Sequence, residues 1–303
     1  MKINYFDLGL HMGKEMAAVC KYFDAMASKN INYHNWNAYG FEACELFYDF
    51  CYERFMPISR AKIIHGAISD TLEDVKLYYA DNCVGHSIFE SKNCKLTELT
   101  TRMPMMFDYL DTAIKKERAT NISVEASTGT SLKTWVSWVN KWAKSQGMKA
   151  YSAEQHVLHE ACEINEDNIM GTWPQLSIRK DSDKPRPQYE VSKGVVFSKW
   201  LEENVTDFKN SFNILRVNIE GAEVHLFQDL IENDLVKHFD IFCGTGHDIE
   251  KISEHSTEEY YKMLKDNDIN LYRFSNWKPE RNDPIEDIIK EKLKTYEDKN
   301  VLP

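Results

Sequence analysis

Asn213-Ile-Leu-Arg-Val-Asn-Ile-Glu-Gly-Ala-Glu223 is an apolar run that stops at a polar, glycine-containing turn and restarts as a helix. Ile214, Leu215, Val217 and Ile219 read as a strand buried in a parallel sheet, and Leu226, Phe227, Leu230 and Ile231 then fall on one helical stripe. Asn218, Glu220 and Glu223 are thereby placed at the carboxyl end of a strand. Ligands of open α/β sheets bind in the crevice outside such ends, where the strand order reverses. The three side chains are therefore candidate site residues.

The pattern extends in both directions. Ile3 to Leu8 reads as a strand and Lys14 to Ser28 as a helix, with Met16, Val19, Cys20, Phe23 and Met26 on one stripe. Nothing precedes this unit in the chain, so the first strand is expected to open the fold. Trp36 to Phe41 reads as a second strand ending at Glu42, followed by a helix from Ala43 to Phe55 and a third strand from Ala61 to Ile68. Val75 to Ala80 and Ser87 to Glu90 suggest a short hairpin or extended excursion. Beyond the central stretch, Lys199 to Asn204 reads as a short helix, and Phe212 to Ile219 as the strand quoted above. Phe239 to Thr245 and Ile269 to Phe274 read as further strands around a helix from Thr257 to Lys265, and Ile285 to Tyr296 as a closing amphipathic helix. The alternation specifies an α/β, doubly wound, Rossmann-like sheet.

From about Asp111 to Lys193 the composition changes to Trp-rich helical patterns and a polar loop holding Pro185 and Pro187. This reads as a largely helical insertion, a lid or an interface, between two halves of one domain at 1–110 and 194–303. Trp135, Trp138 and Trp142 recur at helical spacing, which usually means core or interface and sometimes a stacking platform. His156, His159, Cys162 and Glu163 drift around a helix and imitate a metal cluster without a second ligand set. No metal is expected.

The formal charge of −11 and pI near 5.4 argue against an extended nucleic-acid partner, which would require clustered Lys and Arg. A neutral or cationic small ligand fits better. No apolar stretch approaches the length of a membrane span, and the N-terminus lacks the basic region and apolar core of a signal peptide. Seven cysteines without a C-x-x-C pair read as buried thiols in a reducing compartment. The chain is thus expected to be soluble and cytoplasmic; its oligomeric state cannot be read.

Asp7-Leu-Gly-Leu-His-Met-Gly13 joins the first strand to its helix, where glycines let a backbone approach a ligand and a helix N-terminus presents N–H groups. Its D-x-G-x-x-x-G pattern is not the dinucleotide G-x-G-x-x-G, so a pyrophosphate cradle is not indicated. Asp7 suits a cationic ligand end, such as the amine of S-adenosylmethionine, or belongs to an ordinary turn. Glu42 could accept hydrogen bonds from both ribose hydroxyls of a nucleoside or cap the following helix. Ser69 and Asp70 are neighbouring candidates for adenine-side contacts or a plain turn, and His11 reads as a surface side chain.

Taken together, Asp7-Leu-Gly9 with Gly13, Gly40-Phe-Glu42, Gly66-Ala-Ile-Ser-Asp70, Leu215-Arg-Val-Asn-Ile-Glu-Gly-Ala-Glu223 and a later His247 resemble the FkbM-type methyltransferases. The resemblance covers about residues 3–110 and 195–275, and its most specific piece is I-E-G-A-E. It implies an S-adenosylmethionine-dependent O-methyltransferase acting on a hydroxyl of a sugar, glycan or secondary metabolite. Asp7, Gly9, Gly13 and Glu42 match the family's cofactor side, with Ser69 and Asp70 nearby. Asn218 stands where the family usually has Asp, and an amide is the poorer metal ligand. His247, with an ordinary pKa near 6.5, is the candidate base; Glu220 and Glu223 are bases, substrate-orienting groups or holders of the turn. The alternative is a non-catalytic binding or assembly module that retains the fold. The usual methyltransferase strand order, 3-2-1-4-5, brings Asn218 to Glu223 against Asp7 to Gly13.

Overall fold

A computed structural model describes residues 1–11, 13–78, 87–89, 189–244, 249, 255–274 and 281–300. These fall in one compact unit of the chain. The expected insertion up to residue 188, with its Trp, His and Cys candidates, lies outside the described residues, as does His247.

Six strands form a parallel sheet: β1 (Lys2–Leu8), β2 (Asn35–Glu42), β3 (Ala61–His65), β7 (Phe212–Val217), β8 (Ile241–Gly244) and β9 (Leu271–Tyr272), in the order β3-β2-β1-β7-β8-β9. The order reverses at β1, which has β2 on one side and the late strand β7 on the other. Three further strands, β4 (Ala67–Ile68), β5 (Asp74–Tyr78) and β6 (Tyr189–Val195), make a smaller sheet in which β6 pairs parallel with β4 and antiparallel with β5.

Helices cover both faces, as parallel strands buried on both sides require. Alternate side chains of β1 divide between the faces. Phe6 and Leu8 join Tyr39, Phe41, Leu215 and Val217 in a core closed by α3 (Phe197–Asn204), α4 (Glu223–Glu232) and α5 (Thr257–Asp266). Phe6 is its hub, stacked on Tyr39 at 5.2 Å and edge-on to Phe197 at 5.7 Å. On the opposite face, Trp36 meets Phe23 of α1 (Lys14–Ala27), and Phe212 meets Tyr296 of α6 (Ile285–Asn300). Helix α2 (Glu45–Phe55) follows β2 and reaches the end of the β1–α1 turn through Phe55.

The expected third strand breaks in two. Gly66 separates β3 from β4; a Cβ there would lie 2.6 Å from Cγ2 of Val195, so the glycine admits β6 at this point. Strand β6 itself begins inside the stretch read as insertion, because its pattern is inverted: Val191 is exposed and Ser192 is buried. The excursion around Ser87 returns to the expected place, with an antiparallel bridge between Tyr78 and Ser87, although the main partner of β5 is β6. Cys20, Cys44, Cys51 and Cys243 are buried free thiols, as expected; the other three lie outside the described residues. Among the described residues, no helix is long and apolar enough to cross a membrane.

Candidate functional site

The carboxyl ends of β1, β2 and β7 converge at the reversal of strand order. Asn218 N–H donates to the Leu8 carbonyl at 2.9 Å, and a Cβ on Gly9 would lie 1.9 Å from the Asn218 carbonyl oxygen. The turns after β1 and β7 therefore touch, as the expected strand order requires, across some two hundred residues of sequence.

The β1–α1 turn is wound through left-handed backbone, with φ of +85° at Gly9, +50° at His11 and +68° at Gly13. The N–H groups of its described residues bond within the protein. Gly9 and Leu10 both donate to the Phe41 carbonyl, at 3.1 and 3.0 Å, and Gly13 donates to Leu10 at 2.7 Å. His11 donates to Oε2 of Glu42 at 2.6 Å.

Glu42 is buried at the end of β2, and its other oxygen, Oε1, accepts from Cys44 N–H at 2.9 Å. One carboxylate thus joins the β1–α1 turn to the start of α2. Burial pushes its pKa up to about 8 against the opposing pull of these N–H donors. The capping of α2 falls partly to another residue, since Glu45 N–H donates to Oε1 of Glu190 on β6 at 2.8 Å.

Asp7 does not offer its carboxylate to a ligand as expected. It is fully buried on the α1 face, where Oδ1 receives Nη1 of Arg216 at 2.6 Å and Oδ2 receives the Tyr5 hydroxyl at 3.0 Å. Burial raises its pKa to about 6, while Arg216 pulls it down, and the same proximity keeps the guanidinium charged. Arg216 Nη1 also donates to the Gly9 carbonyl at 3.2 Å, and Nη2 lies 3.3 Å from Oε1 of Glu15 in the first turn of α1. In the sequence Arg216 reads as one strand residue among others. The signal was present, because a charged residue within a fully buried strand must be paired.

Glu223 holds its own turn. Its oxygens accept Ile219 N–H at 3.0 Å and Gly221 N–H at 2.6 Å, and the buried carboxyl has a raised pKa because desolvation outweighs these bonds. Of the roles left open by the sequence, the geometry gives it that of holding the turn. Glu220 has φ of +50°, and its carbonyl accepts the Ser87 hydroxyl at 2.6 Å. Asn218 is half-buried beside the Gly9 turn, and its amide makes no hydrogen bond among the described residues.

His11 is not a free surface side chain. Its half-buried ring packs on Phe47 at 4.3 Å, and burial lowers its pKa to about 4, so it is neutral near pH 7. Ser69 is committed to a local turn, donating to the Thr71 carbonyl at 2.8 Å, whereas Asp70 is exposed. The sequence also gave no hint of a small aromatic cluster next to the Glu220 turn. Phe89 lies 5.4 Å from the His225 ring and 6.5 Å from His255, and the two histidine rings are 5.5 Å apart. These residues are far apart in sequence and carry no motif.

A cleft of about 510 Å³ opens elsewhere, beside the start of β7, lined by Leu201, Val205, Phe208 and Leu235 together with Lys199 and Lys209. It is at the amino end of that strand, away from the convergent carboxylates. Among the described residues, no group of three or more His, Cys, Asp or Glu could hold a metal.

The fold is a doubly wound, Rossmann-like α/β sheet with its candidate site at the switch point between β1, β2 and β7. No protein-family model, curated protein or solved structure matches the chain.

Proposed function

We propose that this protein is an S-adenosylmethionine-dependent O-methyltransferase of the FkbM type, transferring a methyl group to a hydroxyl, with a sugar or glycan as the acceptor class. The observation that carries the reading is Glu42, a buried carboxyl group at the switch point beside the β1–α1 turn. A dinucleotide would need that turn to cradle phosphate. An adenosyl ligand without phosphate needs a diol acceptor instead, and Glu42 is the group we propose for it.

S-adenosylmethionine would contribute the electrophilic methyl group. Glu42 would receive the ribose hydroxyls, the Gly9–Gly13 turn would flank the ligand, and Asn218 would orient the acceptor hydroxyl with its amide. In the transfer the C–S bond breaks as the C–O bond forms in line, and the hydroxyl proton leaves to a base, for which His247 is the proposed residue. Glu223 serves by holding the Asn218–Glu223 turn, and Glu220 lies in that turn. A non-catalytic binding module is the second reading, favoured by Asn218 in place of the family's Asp and by Asp7 being turned inward to Arg216.

Isothermal calorimetry with S-adenosylmethionine tests the reading. Saturable binding is expected, weakened at least tenfold in Glu42→Ala and tightening as pH rises through about 8, because an ionised acceptor makes the stronger hydrogen bonds. No heat at millimolar ligand sinks the proposal. Binding without methyl transfer to any hydroxyl acceptor selects the second reading.

A further inference from the structure

Arg216 touches strand end, glycine turn and helix start together. It is opposite Asp7 in the β1–β7 register, and both are buried on the same face of the sheet. Its Nη1 is shared between Asp7 Oδ1 at 2.6 Å and the Gly9 carbonyl at 3.2 Å, and its Nη2 reaches Glu15 Oε1 at 3.3 Å. The Gly9 carbonyl belongs to a turn with three left-handed residues, two of them glycines, which adopt this backbone without strain, and the third His11, for which it is unfavourable. Glu42 fixes that turn from the β2 side through His11 N–H. Arg216 fixes it from the β7 side. A planar guanidinium spans acceptors on three elements in a way that a lysine ammonium, a point donor on a flexible stem, does not.

We infer that Arg216 is a positioning residue: held by Asp7 and Glu15, its guanidinium sets the shape of the Gly9–Gly13 turn from beneath and thereby presents that turn to the ligand. The ligand part of this inference rests on the proposed function; the part concerning the turn does not.

The test uses the full-length protein and the variants Arg216→Lys and Arg216→Met, measured by hydrogen exchange with mass spectrometry and by calorimetry with S-adenosylmethionine. Lysine keeps the charge beside Asp7 and Glu15, so Arg216→Lys is the informative variant if Arg216→Met does not fold. Exchange in peptides covering Gly9 to Gly13 is expected to accelerate at least tenfold in Arg216→Lys, while peptides of β8 and α5 exchange as in the wild type. Affinity for S-adenosylmethionine is expected to fall by a similar factor. An unchanged turn peptide overturns the inference, and so does acceleration spread evenly over the fold, which marks a plain stability role. If the wild type binds no S-adenosylmethionine, the proposed function falls, and the exchange pattern still decides the role of Arg216 in the turn.

Discussion

A single methyl group at Gly9 would meet the main chain of the turn after β7. Its Cβ would sit 1.9 Å from the Asn218 carbonyl oxygen, which cannot move without dragging the end of β7, and φ there is +85°. At Gly13 the obstacle at 2.5 Å is the Phe55 ring, a side chain that can give way, though φ of +68° is still unfavourable. Gly9→Ala is therefore expected to lose roughly 3 kcal/mol or more, combining backbone strain with overpacking, and Gly13→Ala about 1–2 kcal/mol. Urea denaturation of both variants checks the ranking; equal losses would refute it. The sequence marked both glycines, Asp7, Glu42 and Glu223 as candidates by their place at strand ends, where a ligand contact, a helix cap and a plain turn all use such residues. It could not say which way each carboxylate faces. Asp7 and Glu223 are both satisfied by protein donors, from Arg216 and Tyr5 in one case and from two main-chain N–H groups in the other. That outcome depends on partners brought in by tertiary structure.

Helix α4 shows how an element can carry its own support. Its first residue, Glu223, reaches back to Ile219 and Gly221, so the helix and the turn before it form one unit. Glu223→Ala would leave two N–H groups without their acceptor, one of them buried, and is expected to cost about 2–4 kcal/mol, while Glu223→Gln keeps one oxygen acceptor and loses less. Thermal melts of the two variants give the comparison; a glutamine variant as damaged as the alanine one would show that the N–H bonds are not what matters. Most elements were legible within a residue or two of their ends, because 3.6-residue stripes and apolar runs are strong local signals. The failures are specific. The strand from Ala61 to Ile68 divides because Gly66 makes room for Val195, a contact more than a hundred residues away. Strand β6 was hidden by an exposed valine and a buried serine, the reverse of the pattern by which strands are recognised.

At the scale of the whole molecule, the strand order followed from the alternation of strands and helices, and with it the meeting of the Gly9 and Asn218 turns. That topology also gathers ionisable groups away from water, which makes stability depend on pH in a definite direction. Asp7, raised to about 6, binds a proton more tightly folded than unfolded, so its contribution is lost as pH rises toward that value. His11, lowered to about 4, does the opposite between about 4 and 6.5, and the two largely offset each other. Above pH 6.5 Glu42 dominates. With a pKa of about 8 in the fold, it holds its proton where the unfolded chain has already lost it, so stability falls as pH rises from 6.5 to 8. The fall should be on the order of 1–2 kcal/mol, from one buried group titrating across that window. The net charge of −11 adds repulsion in the same sense. Urea denaturation at pH 6.5, 7.3 and about 8 measures the slope, and Glu42→Gln separates the causes. That variant loses one main-chain hydrogen bond and should be less stable at pH 6.5, but across the window its stability should keep only the smaller fall due to net charge, so that the gap to the wild type narrows as pH rises. A wild-type slope that survives intact in Glu42→Gln would place the titrating group elsewhere in the molecule.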